Sequence, residues 1–290
     1  ERFETLSQSG DALRGVATGY KSLDNLLSGF QKSDFIVIAA RPSMGKTSLA
    51  MDIARRSATK DKVPVGIFSL EMSSQQLVDR MLASESNVDA WKLRTGKLTV
   101  DSEFDKIREA LDSLAKAPIF IDDQPANNIL KMRSVARRLK SERGIGLIIV
   151  DYLQLMAPTN TKASDSMTQQ VTEISRSLKT MARELEVPVI ALSQLSRAIE
   201  QRRGKPRLSD LRDSGSIEQD ADVVMFIHRE DKMNDDSEKT NIAEILVEKH
   251  RNGPVGKVDL YFDEKRVTFN SIDKSNFGDF TESEETNVDF

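Results

Sequence analysis

The sequence reads as an α/β chain with a mostly parallel central sheet, flanking helices and antiparallel strands added late along one edge. Five short runs, residues 35–40, 65–70, 147–150, 188–193 and 223–227, are dominated by apolar and β-branched residues and do not alternate with polar ones. Strands buried on both faces have this pattern, and such strands belong to parallel sheets covered by helices. Between the runs, apolar residues recur every three or four positions, the period of a helix packed on one face.

In chain order, residues 1–15 are polar and weakly patterned, and 35–40 supply the first strand. A turn then opens a helix bearing Leu49, Ala50, Ile53 and Ala54 on one side. The second strand, 65–70, is followed by Ser73-Ser74-Gln75-Gln76, whose spacing is that of a capping box, so another helix starts there. Residues 118–122 read as a sixth short strand, and 128–141 as a helix carrying Met132, Val135, Ala136 and Leu139. Beyond the third strand and a loop-like stretch at 157–167, residues 168–186 place Val171, Ile174, Leu178, Met181 and Leu185 on one helical face. After the fifth run and a loop at 231–241 the pattern changes. Segments 242–248 and 255–262 flank Asn252-Gly253-Pro254, and 266–269 follow, which predicts antiparallel strands at the sheet's edge.

Composition narrows the chemistry. With 38% apolar and 30% charged residues in 290, the chain is ordinary globular material for one large domain or two small ones. It has no Cys and two His, His228 and His250, which excludes disulfides, thiolate nucleophiles and Cys-ligated zinc. Catalysis must therefore rest on carboxylates, Lys, Arg and hydroxyls. No stretch approaches the roughly 20 apolar residues of a membrane helix, and Glu1-Arg2-Phe3 does not start a signal peptide, so the expectation is a cytoplasmic protein with no membrane partner. The chain opens without Met and reads as a piece of something longer. Five acidic residues, Asp279, Glu282, Glu284, Glu285 and Asp289, lie in the last twelve positions; without them the formal charge moves from −4 to +1.

The most informative segment is Ala40-Arg41-Pro42-Ser43-Met44-Gly45-Lys46-Thr47-Ser48. It lies between a strand and a helix and matches the P-loop pattern except that Ala40 stands at the first glycine position. Backbone N–H groups of such a turn wrap a β-phosphate, Lys46 reaches the β and γ oxygens, and the Thr47 hydroxyl ligates Mg²⁺. ATP and Mg²⁺ are the implied substrate and cofactor.

In a parallel sheet every strand ends at the same edge, where ligands bind. Glu71 follows the second strand, Asp151 the third and Gln194 the fourth. Asp151, after Gly146-Leu147-Ile148-Ile149-Val150, has the form of a Walker B aspartate binding Mg²⁺; an Asp that merely caps a loop is the other reading. Glu71 is suited to orienting the attacking water, or is a surface residue before a helix. Gln194 is suited to a γ-phosphate oxygen. Between Ser196 and Arg212 the residues Arg197, Arg202, Arg203, Lys205, Arg207 and Arg212 outweigh Glu200 and Asp210, a local net of +4. That stretch is either a solvated face or a sequence-blind contact to nucleic-acid phosphates, and it lacks aromatics for base stacking. Lys249-His250-Arg251 sits at the turn between two late strands, as a charged hairpin tip or as the source of an arginine finger for a neighbouring subunit.

These motifs, together with Phe68-Ser69-Leu70-Glu71-Met72, Asp151-Tyr152-Leu153-Gln154-Leu155, Leu192-Ser193-Gln194-Leu195-Ser196-Arg197, the run from Ser209 to Asp222 and Lys249-His250-Arg251-Asn252-Gly253-Pro254, resemble one family. It is the C-terminal, RecA-like P-loop ATPase domain of DnaB-type replicative helicases, and the resemblance covers about residues 14 to 270. Ala40 is usual in that family. The resemblance implies residues 1–13 as the end of a linker helix, 14–272 as the motor domain and 273–290 as an acidic tail. It further implies Glu71 as catalytic glutamate, Asp151 as Walker B residue, Gln194 as γ-phosphate sensor, and Arg251 with Lys249 acting on the adjacent subunit's ATP. Arg212, Asp213, Ser214 and Gly215 would touch single-stranded DNA inside a homo-hexameric ring, moving 5′ to 3′. Primase and a helicase loader are the implied partners. A RecA-like recombinase, a clock-type ATPase or a nucleotide-gated loader without turnover are the alternative readings; Glu71 argues against the last.

Overall fold

Residues 13–124, 128–156, 167–196, 199, 202, 204–211, 215–233 and 239–272 are described by the computed structural model. Among them nine strands form one sheet: β1 (Phe35–Ala40), β2 (Val65–Ser69), β3 (Ile119–Asp122), β4 (Leu147–Asp151), β5 (Val189–Gln194), β6 (Val223–His228), β7 (Ile242–His250), β8 (Gly256–Asp263) and β9 (Thr268–Ser271). Their spatial order is β3-β2-β4-β5-β1-β6-β7-β8-β9, parallel through β6 and antiparallel beyond it. The expected fold class, five main strands and sixth short strand are all present. Lys249 and His250 belong to β7 rather than to the turn, because pairing with β6 continues to Val223 opposite His250.

The helices are α1 (Lys21–Leu27), α2 (Lys46–Thr59), α3 (Ser74–Ser86), α4 (Ala90–Thr95), α5 (Asp101–Ala115), α6 (Ile129–Arg143), α7 (Met167–Leu185) and α8 (Gly215–Asp220). Helix α3 has the expected capping box: the Gln76 N–H donates to Ser73 Oγ and the Ser73 N–H donates to Gln76 Oε1 at 3.1 Å. Helix α6 starts on Asn128, whose side chain accepts from the Lys131 N–H at 2.9 Å, and ends on Gly144 at φ +64°. Successive residues of β1 divide the core. Ile36 and Ile38 face α2 with Leu49 and Ile53, while Phe35, Val37 and Ala39 face α7 with Leu178 and Met181. Each such buried side chain stabilises the fold by about 1.5–3 kcal/mol relative to exposure, which is why β1, β2, β4 and β6 carry no alternation. No helix among the described residues is long and apolar enough to cross a membrane.

Two buried carboxylates tie distant segments to this frame. Asp52, midway along α2, accepts hydrogen bonds from the Phe269 N–H (2.7 Å), Thr268 Oγ1 (2.9 Å), Ser84 Oγ (3.1 Å) and the Tyr20 hydroxyl (3.2 Å). The phosphate-binding helix is thereby held to β9, α3 and the turn before α1. Asp222, at the start of β6, accepts from the Phe35 N–H at 2.8 Å and pairs with Lys179 of α7. Beside it lies Asp34, 8% exposed, whose carboxyl is pushed up to about 6 by burial and then by the Asp222 charge, against the opposing charges of Lys179 and His250.

Two measurements check these networks. Asp52→Ala leaves the Phe269 N–H and Thr268 without their acceptor and should lower unfolding free energy by about 3–5 kcal/mol in urea titration; a loss below about 1 kcal/mol would contradict the network. For Asp34, folding raises the carboxyl above its unfolded value of 3.8. Ionisation therefore costs stability, absent below about pH 4 and complete above about pH 6. Asp34→Asn should raise the unfolding free energy at pH 8 by on the order of 2–3 kcal/mol and change it little at pH 4. An equal gain at both pH values would point to some other cause.

Candidate active site

Strand β1 delivers the chain to the turn at 41–45, and α2 begins at its end. Gly45 precedes α2 with φ +97°, and a Cβ added there would meet Phe269 Cζ at 2.8 Å. Backbone conformation and space both demand glycine at that position. Ala40 has no such requirement: it is the buried last residue of β1 and is not among the positive-φ residues, so a side chain at the first glycine position is no defect. No side chain caps α2, which leaves the start of the helix to an anion. The turn is pinned to the neighbouring strand by the Arg41 guanidinium on the Leu195 carbonyl (2.8 Å) and by the Leu195 N–H on the Ala40 carbonyl (3.1 Å).

Sheet register brings the other candidates to this turn. Ala40 lies opposite Gln194, Ser69 lies opposite Asp151, and the Leu70 N–H donates to the Asp151 carbonyl at 2.7 Å. Glu71, one residue further, and Gln194 line a cleft of about 430 Å³ with Ala40, Arg41, Pro42, Ser43, Gly45, Lys46, Thr47 and Ser48. Met44 instead turns into the core. A larger groove of about 570 Å³ lies between α1 and β8, remote from these groups.

Behind the Thr47 hydroxyl of the cleft lies the fully buried Asp151. Thr47 Oγ1 donates to its Oδ2 at 2.8 Å, while its Oδ1 is buried without a hydrogen bond and lies 3.8 Å from Lys46 Nζ. Burial pushes the Asp151 carboxyl up and the Lys46 ammonium down; the Asp151 and Glu71 charges partly restore the ammonium. Lys46 Nζ also lies 4.3 Å from the centre of the Tyr152 ring. Hydroxyl and carboxylate oxygens are hard donors suited to Mg²⁺, which commonly takes one or two carboxylates and completes its shell with water and substrate phosphates. The unsatisfied Asp151 oxygen fits that arrangement. No cluster of three or more His, Cys, Asp or Glu that could hold a metal by itself occurs among the described residues.

Reading the sequence did not assign to the site five further residues of the cleft: Met72, Arg80, Tyr152, Phe262 and Val267. Arg80 borders the buried Leu77–Met81 stripe of α3, and its charge favours ionised Asp151. A cation beside the apolar stripe of the helix that leaves the Glu71 strand end was the available signal. Phe262 and Val267 flank the β8–β9 turn, which reaches the P-loop edge only through strand order.

Lys249 and Arg251 are elsewhere. Strand β7 runs antiparallel to β6 and ends beside Val223, the first residue of β6, so both cations sit at the edge opposite the cleft. Arg251 contacts Asp222 (3.2 Å) and the Gln219 carbonyl (3.0 Å). Of the expected DNA-contacting set, Arg212, Asp213 and Ser214 lie outside the described residues, and Gly215 opens α8. In the basic stretch, Arg202 pairs with Asp210 (2.8 Å) and Lys205 with Glu244 (2.7 Å), so part of its charge is neutralised internally.

The model of the DnaB-like helicase C terminal domain matches residues 15–271. The chain is 52% identical over 275 residues to the replicative DNA helicase DnaB of Geobacillus stearothermophilus, covering 94% of this chain and 60% of that protein. It is 48% identical over 275 residues to the replicative DNA helicase DnaC of Bacillus subtilis, with the same coverage of each. It thus spans about 60% of the length of these relatives. A solved DnaB-like replicative helicase, described with its interactions with primase, superposes with a TM-score of 0.87 at 39% identity, covering 92% of this chain and 64% of that one. The RadB recombinase, at 18% identity and a TM-score of 0.56, shares the fold alone. With a P-loop, a buried strand-end aspartate and a family match running through residues 15–271, the chain belongs to the DnaB-like helicase C-terminal domain family.

Proposed function

We propose that this chain is the motor part of a replicative DNA helicase. It hydrolyses ATP with Mg²⁺ at the interfaces of a homo-hexameric ring, moves 5′ to 3′ on single-stranded DNA and separates the duplex. The observation that carries the proposal is the convergence on one cleft of side chains from four strand ends, Lys46 and Thr47 after β1, Glu71 after β2, Asp151 ending β4 and Gln194 ending β5. Polarity, primase and a loader rest on family membership, as does action in the cytoplasm. Arg212, Asp213, Ser214 and Gly215 remain the proposed contacts to DNA on the same ground.

Each side chain has a task its chemistry suits. Lys46 offsets charge on the β and γ oxygens, and Glu71 accepts a proton from the attacking water or orients it. Gln194 donates to a γ-phosphate oxygen, and Arg80 adds cis positive charge beside Asp151. Thr47 and Asp151 would hold Mg²⁺, which would supply positive charge against the developing charge of the phosphates when bound. Lys249 and Arg251 lie at the sheet edge opposite their own cleft, which supports action on a neighbour's nucleotide rather than their own.

Turnover by the assembled chain, with and without single-stranded DNA, tests these roles. Lys46→Ala should lose ATP binding and turnover; turnover at the wild-type rate would overturn the site. Glu71→Gln should keep nucleotide binding and lose about 10²-fold or more in kcat. Arg251→Ala should be inactive alone, yet regain turnover when mixed with Glu71→Gln, since each supplies what the other lacks across an interface. Failure of the mixture would refute the trans assignment. Arg80→Ala should lower kcat about tenfold, and an unchanged kcat would remove Arg80 from the site.

A further inference from the structure

We propose that Asp222 is the positioning residue of Arg251, and that helix α8 carries the mount on which Arg251 and Lys249 are held. The proposal rests on the reading of Arg251 as a trans-acting finger. Four contacts fix Asp222. Its N–H donates to the Phe35 carbonyl (2.8 Å), its Oδ2 accepts from the Phe35 N–H (2.8 Å) and from Lys179 Nζ, and its own carbonyl accepts the Arg251 N–H (2.8 Å). The remaining oxygen, Oδ1, lies 3.2 Å from Arg251 Nη1. A carboxylate so held cannot follow a mobile side chain; the side chain must come to it.

Arg251 lies in an exposed turn, its side chain 48% accessible. A free arginine there would lose rotamer entropy each time it engaged a phosphate. Here one side of the guanidinium is already set, Nη1 on Asp222 and Nη2 on the Gln219 carbonyl at 3.0 Å. One of its five N–H donors is hydrogen-bonded in this way and a second nitrogen is ion-paired, and the other donors stay available to a phosphate of the neighbouring subunit. Lys249, two residues earlier and within β7, donates to the Gln219 carbonyl at 3.3 Å and to that of Glu218. Both cations therefore converge on the last carbonyls of α8, where unsatisfied oxygens and the end of the peptide dipoles favour positive charge.

Helix α8 is itself held. Ile217 is buried, and Ser175 Oγ of α7 donates to Asp220 at 2.9 Å. Its first residue, Gly215, belongs to the proposed DNA-contacting set, and its last carbonyls carry the two cations. Six residues thus join a DNA contact to the finger that serves the next subunit's ATP.

The test compares Asp222→Asn, Lys179→Met and Arg251→Ala, each as the full assembled chain. Asp222→Asn keeps an acceptor for the Phe35 N–H but loses the charge that orients Arg251. Its kcat should fall about tenfold or more while KM for ATP changes less than twofold, and mixing with Glu71→Gln should restore turnover, because the Asp222→Asn subunit's own cleft is intact. Lys179→Met removes one of the four contacts on Asp222 and the donor to the Ser33 carbonyl while the Phe35 contacts stay in place, so it should lower the melting temperature with kcat within about twofold of wild type. Wild-type kcat for Asp222→Asn overturns the proposal. So does a loss not rescued by Glu71→Gln in mixtures where Arg251→Ala is rescued, or an equal kcat loss in Lys179→Met. If Arg251→Ala itself turns over normally, the finger reading fails first, a result distinct from any of these.

Discussion

A parallel strand pair cannot be closed by a tight turn, and the whole arrangement depends on that constraint. Each strand from β1 to β6 must end at one edge and return by a crossover on a face of the sheet. With β1 at the centre, between β5 and β6, the register sets Gln194 beside Ala40, and β2 beside β4 sets Ser69 beside Asp151. Groups more than a hundred residues apart in sequence become neighbours without any loop having to reach. Thr47 and Asp151, 104 positions apart, hydrogen-bond because their strands end together.

Buried carboxylates do three different jobs around this frame. Asp52 is satisfied by donors from three segments and holds α2 against the rest of the molecule. Asp151 keeps one oxygen unsatisfied and faces the phosphate-binding turn, as suits a group whose partner arrives with substrate. Asp222 is shared between structural donors and the half-exposed Arg251. The residue type alone distinguishes none of them; burial and donor count do.

The antiparallel strands serve both edges of the sheet. Strand β8 runs toward the P-loop edge, where Phe262 contacts Phe269 with ring centres 4.7 Å apart and Phe269 closes on Gly45. The fully buried Arg229 lies over the Phe262 ring, 4.7 Å from its centre, and bonds to Asp231, Asn241 and Glu264. Strand β7 runs the other way and delivers Lys249 and Arg251 to the far edge. One hairpin thereby supplies a wall to its own cleft and two cations facing away from it.

Much of this was legible in the sequence because it depends on local pattern. Uniformly apolar runs marked the strands, the three-and-four period marked α6 and α7, Ser73 with Gln76 marked the start of α3, and Gly45-Lys46-Thr47 between strand and helix marked the phosphate turn. Helices α1 and α4, seven and six residues long, are too short to show a period. Strand order was not legible, because it is settled by which apolar faces can be covered together, a property of no single segment. Sequence by itself therefore determined the elements, the P-loop and the carboxylates available at strand ends. Tertiary structure alone decided that Arg80, Tyr152 and Phe262 join the cleft, that Arg251 faces away from it, and that Asp222 holds Arg251, since each of these contacts exists only once the register of neighbouring strands is set.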